Sequence, residues 1–379
     1  MPTRRTRVAT GILLTAGSVA VTLALLEVGV RVVAPQPTKV TVPAVIDDAL
    51  IYRLPANARG TDVKEEFAVT IVTNAQGLRD RDYPVTKPPG VRQRILVLGD
   101  SMTFAEGVEA EQTYPKLLER ALAERHGAGR YEVINAAVRG YGNDQELVLF
   151  ERLIPVYRPD AVVLAFFAVN DFDDNLYGGL FTVEGDRLER RPLSESTSPK
   201  YRYYRRQSRI QTFPGYRTLM AHSHLFNLIR NRWAAVEFRR SFGEAARLDP
   251  ASEEQAWRLT RAILLAWIEW ARRDGIRPVL LLVPSWRQVE TGRDDAVDAR
   301  TARVTALARE QRLPVVVPRA PLAAAAGGPE RVYYPKDHHM TPAGHRVVAT
   351  VLERCLASLE VIPAAAPVAT ADECHLPRP

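Results

Sequence analysis

The chain has 379 residues, of which 46% are hydrophobic and 25% charged, values that exclude wholesale disorder and a multi-span membrane protein. Two cysteines exclude a disulfide scaffold and a four-cysteine zinc site. The formal net charge of +7 favours anionic surroundings, but no basic run is interleaved with aromatics in a nucleic-acid motif, so no nucleic-acid partner is expected.

Arg4, Arg5 and Arg7 precede an uncharged stretch from Val8 to Leu26. These 19 residues would form a helix of about 28 Å, close to the hydrocarbon thickness of a bilayer. A cleaved signal peptide has a shorter apolar region and a small-residue cleavage site. Here Glu27 and Arg31 follow, and Ala34 precedes Pro35. An uncleaved signal anchor over residues 1–35, spanning the membrane through 8–26, is the favoured reading, and a cleaved signal is the alternative. The basic flank places the N-terminus in the cytoplasm and the rest of the chain outside the membrane, in the periplasm or at the cell surface.

Residues 36–92 carry short apolar runs broken by Pro, Asn and Gly and suggest a small β-rich lead-in. From residue 93 the pattern alternates. Continuous apolar runs predict strands over 94–98, 131–134, 161–168, 277–283 and 313–317. Between and after them, helices are expected over 114–125, 144–157, 253–273, 295–312 and 341–359. Such alternation implies a central parallel sheet of about five strands with helices on both faces, over 93–360. An insertion at about 172–250 is rich in Arg, Tyr and Phe and reads as a helical subdomain or lid. Its basic face is either solvated and partly packed, or binds a polyanionic polymer or lipid headgroups. The Trp257, Trp267 and Trp270 set lies on one predicted helix and reads as core. The tail, 361–379, is Ala/Pro-rich and reads as disordered, unless a disulfide between Cys374 and Cys355 of the last helix pins it.

Ligands of open α/β sheets bind at the carboxyl ends of the strands. Gly99-Asp100-Ser101 follows the first strand, Asn135 to Gly142 the second, and Ala168-Val169-Asn170-Asp171 the third. Asp337-His338-His339-Met340-Thr341-Pro342 precedes the last helix. Each segment alone is a weak signal; their joint order at successive strand ends is the informative observation. Asp171, Asp173 and Asp174 fit no EF-hand spacing and read as a helix start and solvated loop. His222 and His224 lack partner ligands and read as surface, and His345 as a helix residue. No metal and no cofactor is expected.

These four segments resemble the blocks of the SGNH hydrolase superfamily, the GDSL-type esterases, over about residues 70–360. Asn74 to Arg79 and Asp337 to His345 resemble membrane-anchored bacterial members. The resemblance implies a flavodoxin-like three-layer sandwich and a Ser-His-Asp triad. Ser101 is then the nucleophile. His339 is the base, favoured over His338, and Asp337 orients it from the same loop. The absence of a Gly-x-Ser-x-Gly elbow argues against an ordinary α/β-hydrolase. The implied oxyanion hole is the backbone N–H groups of Ser101 and Gly140 with the side-chain amide of Asn170. Ala168 stands where many members have glycine, and many have Asp-x-x-His, a spacing that here lands on Met340.

The leading expectation is an extracytoplasmic serine esterase removing small acyl groups, O-acetyl foremost, from cell-surface carbohydrate. The alternatives are an O-acyltransferase that uses the same triad, and a non-catalytic polysaccharide-binding or assembly factor on the same fold. The Asp-x-His segment follows the serine in the chain, the order of the hydrolase lineage.

Overall fold

A computed structural model describes residues 4–38, 41–185, 187–242, 249–363 and 369–375. Its first element, α1 (Arg4–Val33), is 30 residues long, and its apolar side chains are exposed along the whole Val8–Leu26 run. It is long and apolar enough to cross a membrane, as an anchor or a signal sequence would be. Two antiparallel hairpins follow, β1 (Val45–Asp47) with β2 (Ile51–Arg53) and β3 (Arg59–Val63) with β4 (Ala68–Val72).

The sheet domain opens with β5 (Gln93–Leu98), α2 (Ser101–Phe104) and α3 (Tyr114–His126). Next come β6 (Tyr131–Asn135), α4 (Asn143–Tyr157), β7 (Ala161–Phe166) and α5 (Asp171–Gly178). The insertion holds a hairpin, β8 (Phe181–Glu184) with β9 (Arg187–Arg190), as well as α6 (Pro199–Gln211), α7 (Tyr216–His222) and α8 (His224–Phe242). The chain continues through α9 (Pro250–Arg273), β10 (Arg277–Leu282), α10 (Trp286–Glu290), α11 (Asp295–Glu310) and β11 (Val315–Val316). It ends with α12 (Arg319–Ala326), α13 (Pro342–Ser358) and β12 (Cys374–His375).

The main sheet has six strands in the order β12-β11-β10-β7-β5-β6. Five are parallel, and β12 pairs antiparallel with β11. Alternating side chains serve two cores, as a sheet covered on both faces requires. Leu96, Leu98, Val162, Leu164 and Leu280 pack with α4 and α9, around fully buried Trp267 and the partly buried Trp257 and Trp270. Ile95, Val97, Val163, Val279 and Leu281 pack with α3 and α13. Strand order reverses between β5 and β7, the switch point of a doubly wound sheet, where such sheets carry their ligand crevice.

Four expectations are corrected. The strand expected over 161–168 stops at Phe166, because the Phe167 carbonyl turns to accept the N–H groups of Asn170 and Asp171. The strand expected over 313–317 shrinks to Val315–Val316, since Pro314 and Pro318 have no N–H for a ladder. The tail adds a sixth strand: Cys374 pairs with Val316, and Val317 N–H donates to the Glu373 carbonyl at 2.8 Å. The expected disulfide is not formed. Cys355 and Cys374 are buried free thiols, the Cys355 thiol lies 3.2 Å from the Glu373 carbonyl oxygen, and strand pairing holds the tail without a covalent bond. Residues 364–368 and 376–379 of that tail lie outside the described residues.

Arg79 ties the lead-in to the first strand end. Only 1% exposed, its guanidinium donates to the Phe104, Ala105 and Val108 carbonyls at 2.6–2.8 Å, just beyond α2. Burial draws its pKa down to about 10. Arg79→Met takes the charged donor from these carbonyls and leaves those of Phe104 and Val108 without a partner among the described residues. It is expected to cost about 3 kcal/mol or more of stability, read as a lowered denaturant midpoint, whereas a surface arginine such as Arg187 should cost almost nothing.

Candidate active site

Three loops and one turn meet at the crevice. After β5, Asp100 caps α2 by accepting the Met102 N–H at 2.9 Å, which turns Ser101 out of the strand line. Gly99 has to be glycine, because a Cβ there would lie 2.3 Å from the Thr103 hydroxyl oxygen. Across the crevice, Pro342 starts α13 and Thr341 caps it, while the Tyr334 N–H donates to the His339 carbonyl at 2.9 Å and closes the preceding turn. That turn brings His339 Nε2 to 2.9 Å from Ser101 Oγ and His339 Nδ1 to 2.5 Å from Asp337 Oδ1. His338, the other histidine considered, has φ +65° and stacks on Trp286 at 4.5 Å between ring centroids, away from this chain of bonds. His345 is fully buried in α13.

A lysine from the lead-in completes the electrostatics. Lys64 Nζ donates to Asp337 Oδ2 at 2.7 Å and to Glu106 Oε2 at 2.8 Å. Arg139 pairs with Asp62 at 3.1 Å and with Glu106 at 3.6 Å. Burial alone would raise the Asp337 pKa, but hydrogen bonds from His339 and Lys64 outweigh it and hold the carboxyl well below the usual carboxylate range. Glu106 is likewise drawn to about 2 against its burial, by Arg139, His339 and Lys64. Burial pulls the His339 imidazole down, yet the Asp337 hydrogen bond and the Glu106 and Asp337 charges raise it overall. Glu106, Asp337 and His339 offer ligand atoms within 4.8 Å of one another, as a metal site would. The place between the two carboxylates is held by the Lys64 ammonium, so the donor set does not fit a resident cation.

Gly140 and Asn170 come from the ends of β6 and β7. Gly140 has φ +73°, and a Cβ would lie 2.9 Å from the Tyr52 hydroxyl, so both backbone and space favour glycine. That hydroxyl donates to the Arg139 carbonyl at 2.7 Å, and Tyr52 stacks on Tyr204 of α6 at 3.8 Å. Among the described residues, the N–H groups of Ser101 and Gly140 meet no acceptor. The Asn170 amide donates to Asp174 at 2.8 Å and, more loosely, to Asp100 at 3.2 Å. Burial raises Asp100 to about 6.

Lys200, at the start of α6 and 3% exposed, links the two donors. Its ammonium reaches the Gly140 carbonyl at 2.9 Å, Gln145 at 3.0 Å and Asp174 at 2.8 Å. Of the helix start and solvated loop expected at Asp171, Asp173 and Asp174, the helix start is present in α5 and the solvated loop is corrected. Asp171 is fully buried, Asp173 pairs with Arg300 at 3.0 Å, and Asp174 pairs with Lys200. Lys64, Glu106 and Lys200 escaped the sequence reading because each lies outside the four blocks, and Arg139, although inside the second block, stands at a position to which the resemblance gives no role. No local pattern distinguishes them; only the strong charge of the insertion hinted at Lys200.

The Asp337–His339 pair raises the folded imidazole pKa, so its contribution to stability is full below about pH 6.5, the unfolded value, and fades as pH rises through the higher folded value. An NMR titration should place the His339 ring above an ordinary imidazole, and Asp337→Asn should bring it down. A ring unmoved by Asp337→Asn contradicts this electrostatic account.

A model of the GDSL-like lipase/acylhydrolase family matches residues 97–347. No curated protein matches the chain. Among solved structures, TesA is 16% identical, with a TM-score of 0.39 over 69% of this chain and 96% of that one. The psychrotrophic esterase EstA from Pseudoalteromonas sp. is 11% identical, with a TM-score of 0.40 over 71% and 100%. A catalytic mutant of Axe2, an acetylxylan esterase from Geobacillus stearothermophilus, is 12% identical, with a TM-score of 0.40 over 71% and 96%.

Proposed function

The chain belongs to the GDSL-like lipase/acylhydrolase family and is a hydrolase of ester bonds, and on that footing we propose that Ser101, His339 and Asp337 are its catalytic triad. The observation that carries this reading is the unbroken chain of bonds from the Ser101 hydroxyl through both nitrogens of His339 to Asp337. Ser101 Oγ attacks the acyl carbonyl carbon as His339 Nε2 takes its proton. Asp337 keeps the other proton on Nδ1 and balances the imidazolium. The tetrahedral oxyanion accepts hydrogen bonds from the Ser101 and Gly140 N–H groups and the Asn170 amide. Asn170 trades its loose 3.2 Å contact with Asp100 for the oxyanion. The alkoxide leaves with the proton from His339, and water, deprotonated by the same ring, releases the acid.

The substrate in this reading is a small acyl ester, O-acetyl foremost, on cell-surface carbohydrate. The half-buried Trp286, stacked on His338 beside His339 and with the Arg287 guanidinium over its ring, supports a sugar: it puts an indole next to the proposed base, the kind of ring on which pyranoses pack. In the same reading α1 is a single-pass anchor with a cytoplasmic N-terminus and an extracytoplasmic catalytic domain. The charge distribution around the apolar run of α1 supports it.

Ser101→Ala should lower hydrolysis of p-nitrophenyl acetate by at least ~10³-fold in folded protein. Retained activity would remove the triad assignment, and negligible wild-type activity that appears only with a sugar acceptor would favour the acyltransferase. The rate should fall as pH drops through the raised His339 pKa, because only the neutral ring accepts the serine proton. Lys200→Met should lower kcat by up to ~10²-fold, about the loss of one oxyanion donor, with KM nearly unchanged. An equal loss confined to KM would show that Lys200 serves binding instead. Trp286→Ala should raise KM for acetylated oligosaccharides but not for p-nitrophenyl acetate.

A further inference from the structure

Residues 199–242, which form α6 to α8, contain ten Lys or Arg and one acid. Their formal charge is +9 against +7 for the whole chain, so everything else together is slightly acidic. Part of this charge is spent internally. Lys200 is buried against Asp174, Arg206 and Arg240 share Glu237, and Arg205 pairs with Glu195. Arg209, Arg217, Arg232 and Arg239 are exposed and meet no carboxylate among the described residues.

The same layer exposes large apolar side chains. Phe213 is 58% and Ile229 60% exposed, and Val236 and Phe238 are also exposed. Arg209 and Arg217 lie four residues to either side of Phe213, and Arg230 and Arg232 follow Ile229 closely. A face that only binds a soluble polyanion has no use for exposed Phe and Ile among its arginines. A bilayer surface uses both, phosphates for the guanidinium groups and acyl chains for the rings.

The anchor fixes where this layer sits. The apolar run of α1 ends at Leu26, and the next residue, Glu27, caps α8. Its carboxylate accepts the Ser223 hydroxyl at 2.7 Å and the His224 and Leu225 N–H groups at 2.9 Å. Arg31 bonds Glu27 and reaches the His222 carbonyl, each at 2.7 Å, and the Gln36 N–H donates to His224 Nδ1 at 2.9 Å. His222 and His224 are thus joints between anchor and insertion. A chain that leaves the bilayer at residue 26 holds the α7–α8 junction within about a helical turn of the headgroups.

We propose that the α6–α8 layer is a membrane-surface foot that rests on an anionic phospholipid leaflet beside α1. The unpaired arginines lie at headgroup phosphates, and Phe213 and Ile229 dip below them. The proposal rests on the reading of α1 as an anchor. The foot is continuous with the site: α6 packs on α8 and carries Lys200, which holds Gly140 and Asp174.

The test uses the full chain in lipid nanodiscs with a single spin label at Phe213→Cys, the native thiols being buried. Labels at Val19→Cys in α1 and Val85→Cys, an exposed site in the loop between β4 and β5, serve as references. With phosphatidylglycerol in the disc, the ratio of oxygen to nickel-chelate accessibility at 213 should rise several-fold above that at 85. It should fall back in pure phosphatidylcholine, and likewise when Arg209→Glu and Arg217→Glu are combined, with p-nitrophenyl acetate hydrolysis retained. A 213 label as wet as 85 in both discs, with 19 immersed, overturns the foot. A 213 label that responds to soluble alginate but not to phosphatidylglycerol reassigns the face to a polyanionic polymer. A label at 19 that stays in water removes the anchor reading, and the foot with it.

Discussion

The site depends on one geometric constraint. A doubly wound parallel sheet sends successive loops apart at the switch point between β5 and β7, and the crevice there is lined by strand ends with free backbone groups. Ser101, Gly140 and Asn170 leave three neighbouring strands at that edge, and the turn before α13 faces them. Strand pairing fixes the backbones; it does not fix side chains at loop ends. That task falls to two lysines from outside the sheet, Lys64 of the lead-in on Asp337 and Lys200 of the insertion on Gly140 and Asp174. The lead-in and insertion are therefore parts of the site rather than decorations on it.

Below the crevice the protein buries an unusual number of acids. Glu146, Asp171 and Asp144 are at most 1% exposed. The Asn143 amide donates to Glu146 at 2.9 Å and to Asp171 at 3.1 Å, and the Phe167 N–H donates to Asp171 at 2.8 Å. Burial raises Asp144 to about 7 and holds Glu146 and Asp171 well above the usual range. Burial favours the neutral form of each of them, because an unpaired ion is costly in the interior. The ionised carboxylates are instead the ones with cationic partners, Asp337 and Glu106. Burial and charge pairing thus pull the acids of one region in opposite directions.

The sheet and the four loop segments were legible in the sequence because each is local. An apolar run such as 94–98 announces a buried strand, and Thr341-Pro342 announces a helix start. His339 was favoured over His338 on the resemblance, which reads Asp-x-His before a helix start, and it is His339 that lies between Asp337 and Ser101. The rest was set by tertiary contacts. Two residues, Cys374 and His375, make a strand only because β11 has an open edge. Asp171 and Asp174 read as ordinary polar helix-start residues, and only α4 and α6 show why one is buried and the other paired. Trp286 became notable once the turn at 338 brought a histidine ring against it.

The most direct test of the account is chemical labelling of the resting enzyme. A fluorophosphonate forms a stable bond only with a serine whose hydroxyl is activated by a base and whose new oxyanion is stabilised. Treating the full-length protein and locating the added mass by peptide mass spectrometry should find one adduct, on Ser101, lost in His339→Ala. An unmodified Ser101, or an adduct on another serine that survives His339→Ala, would contradict the account.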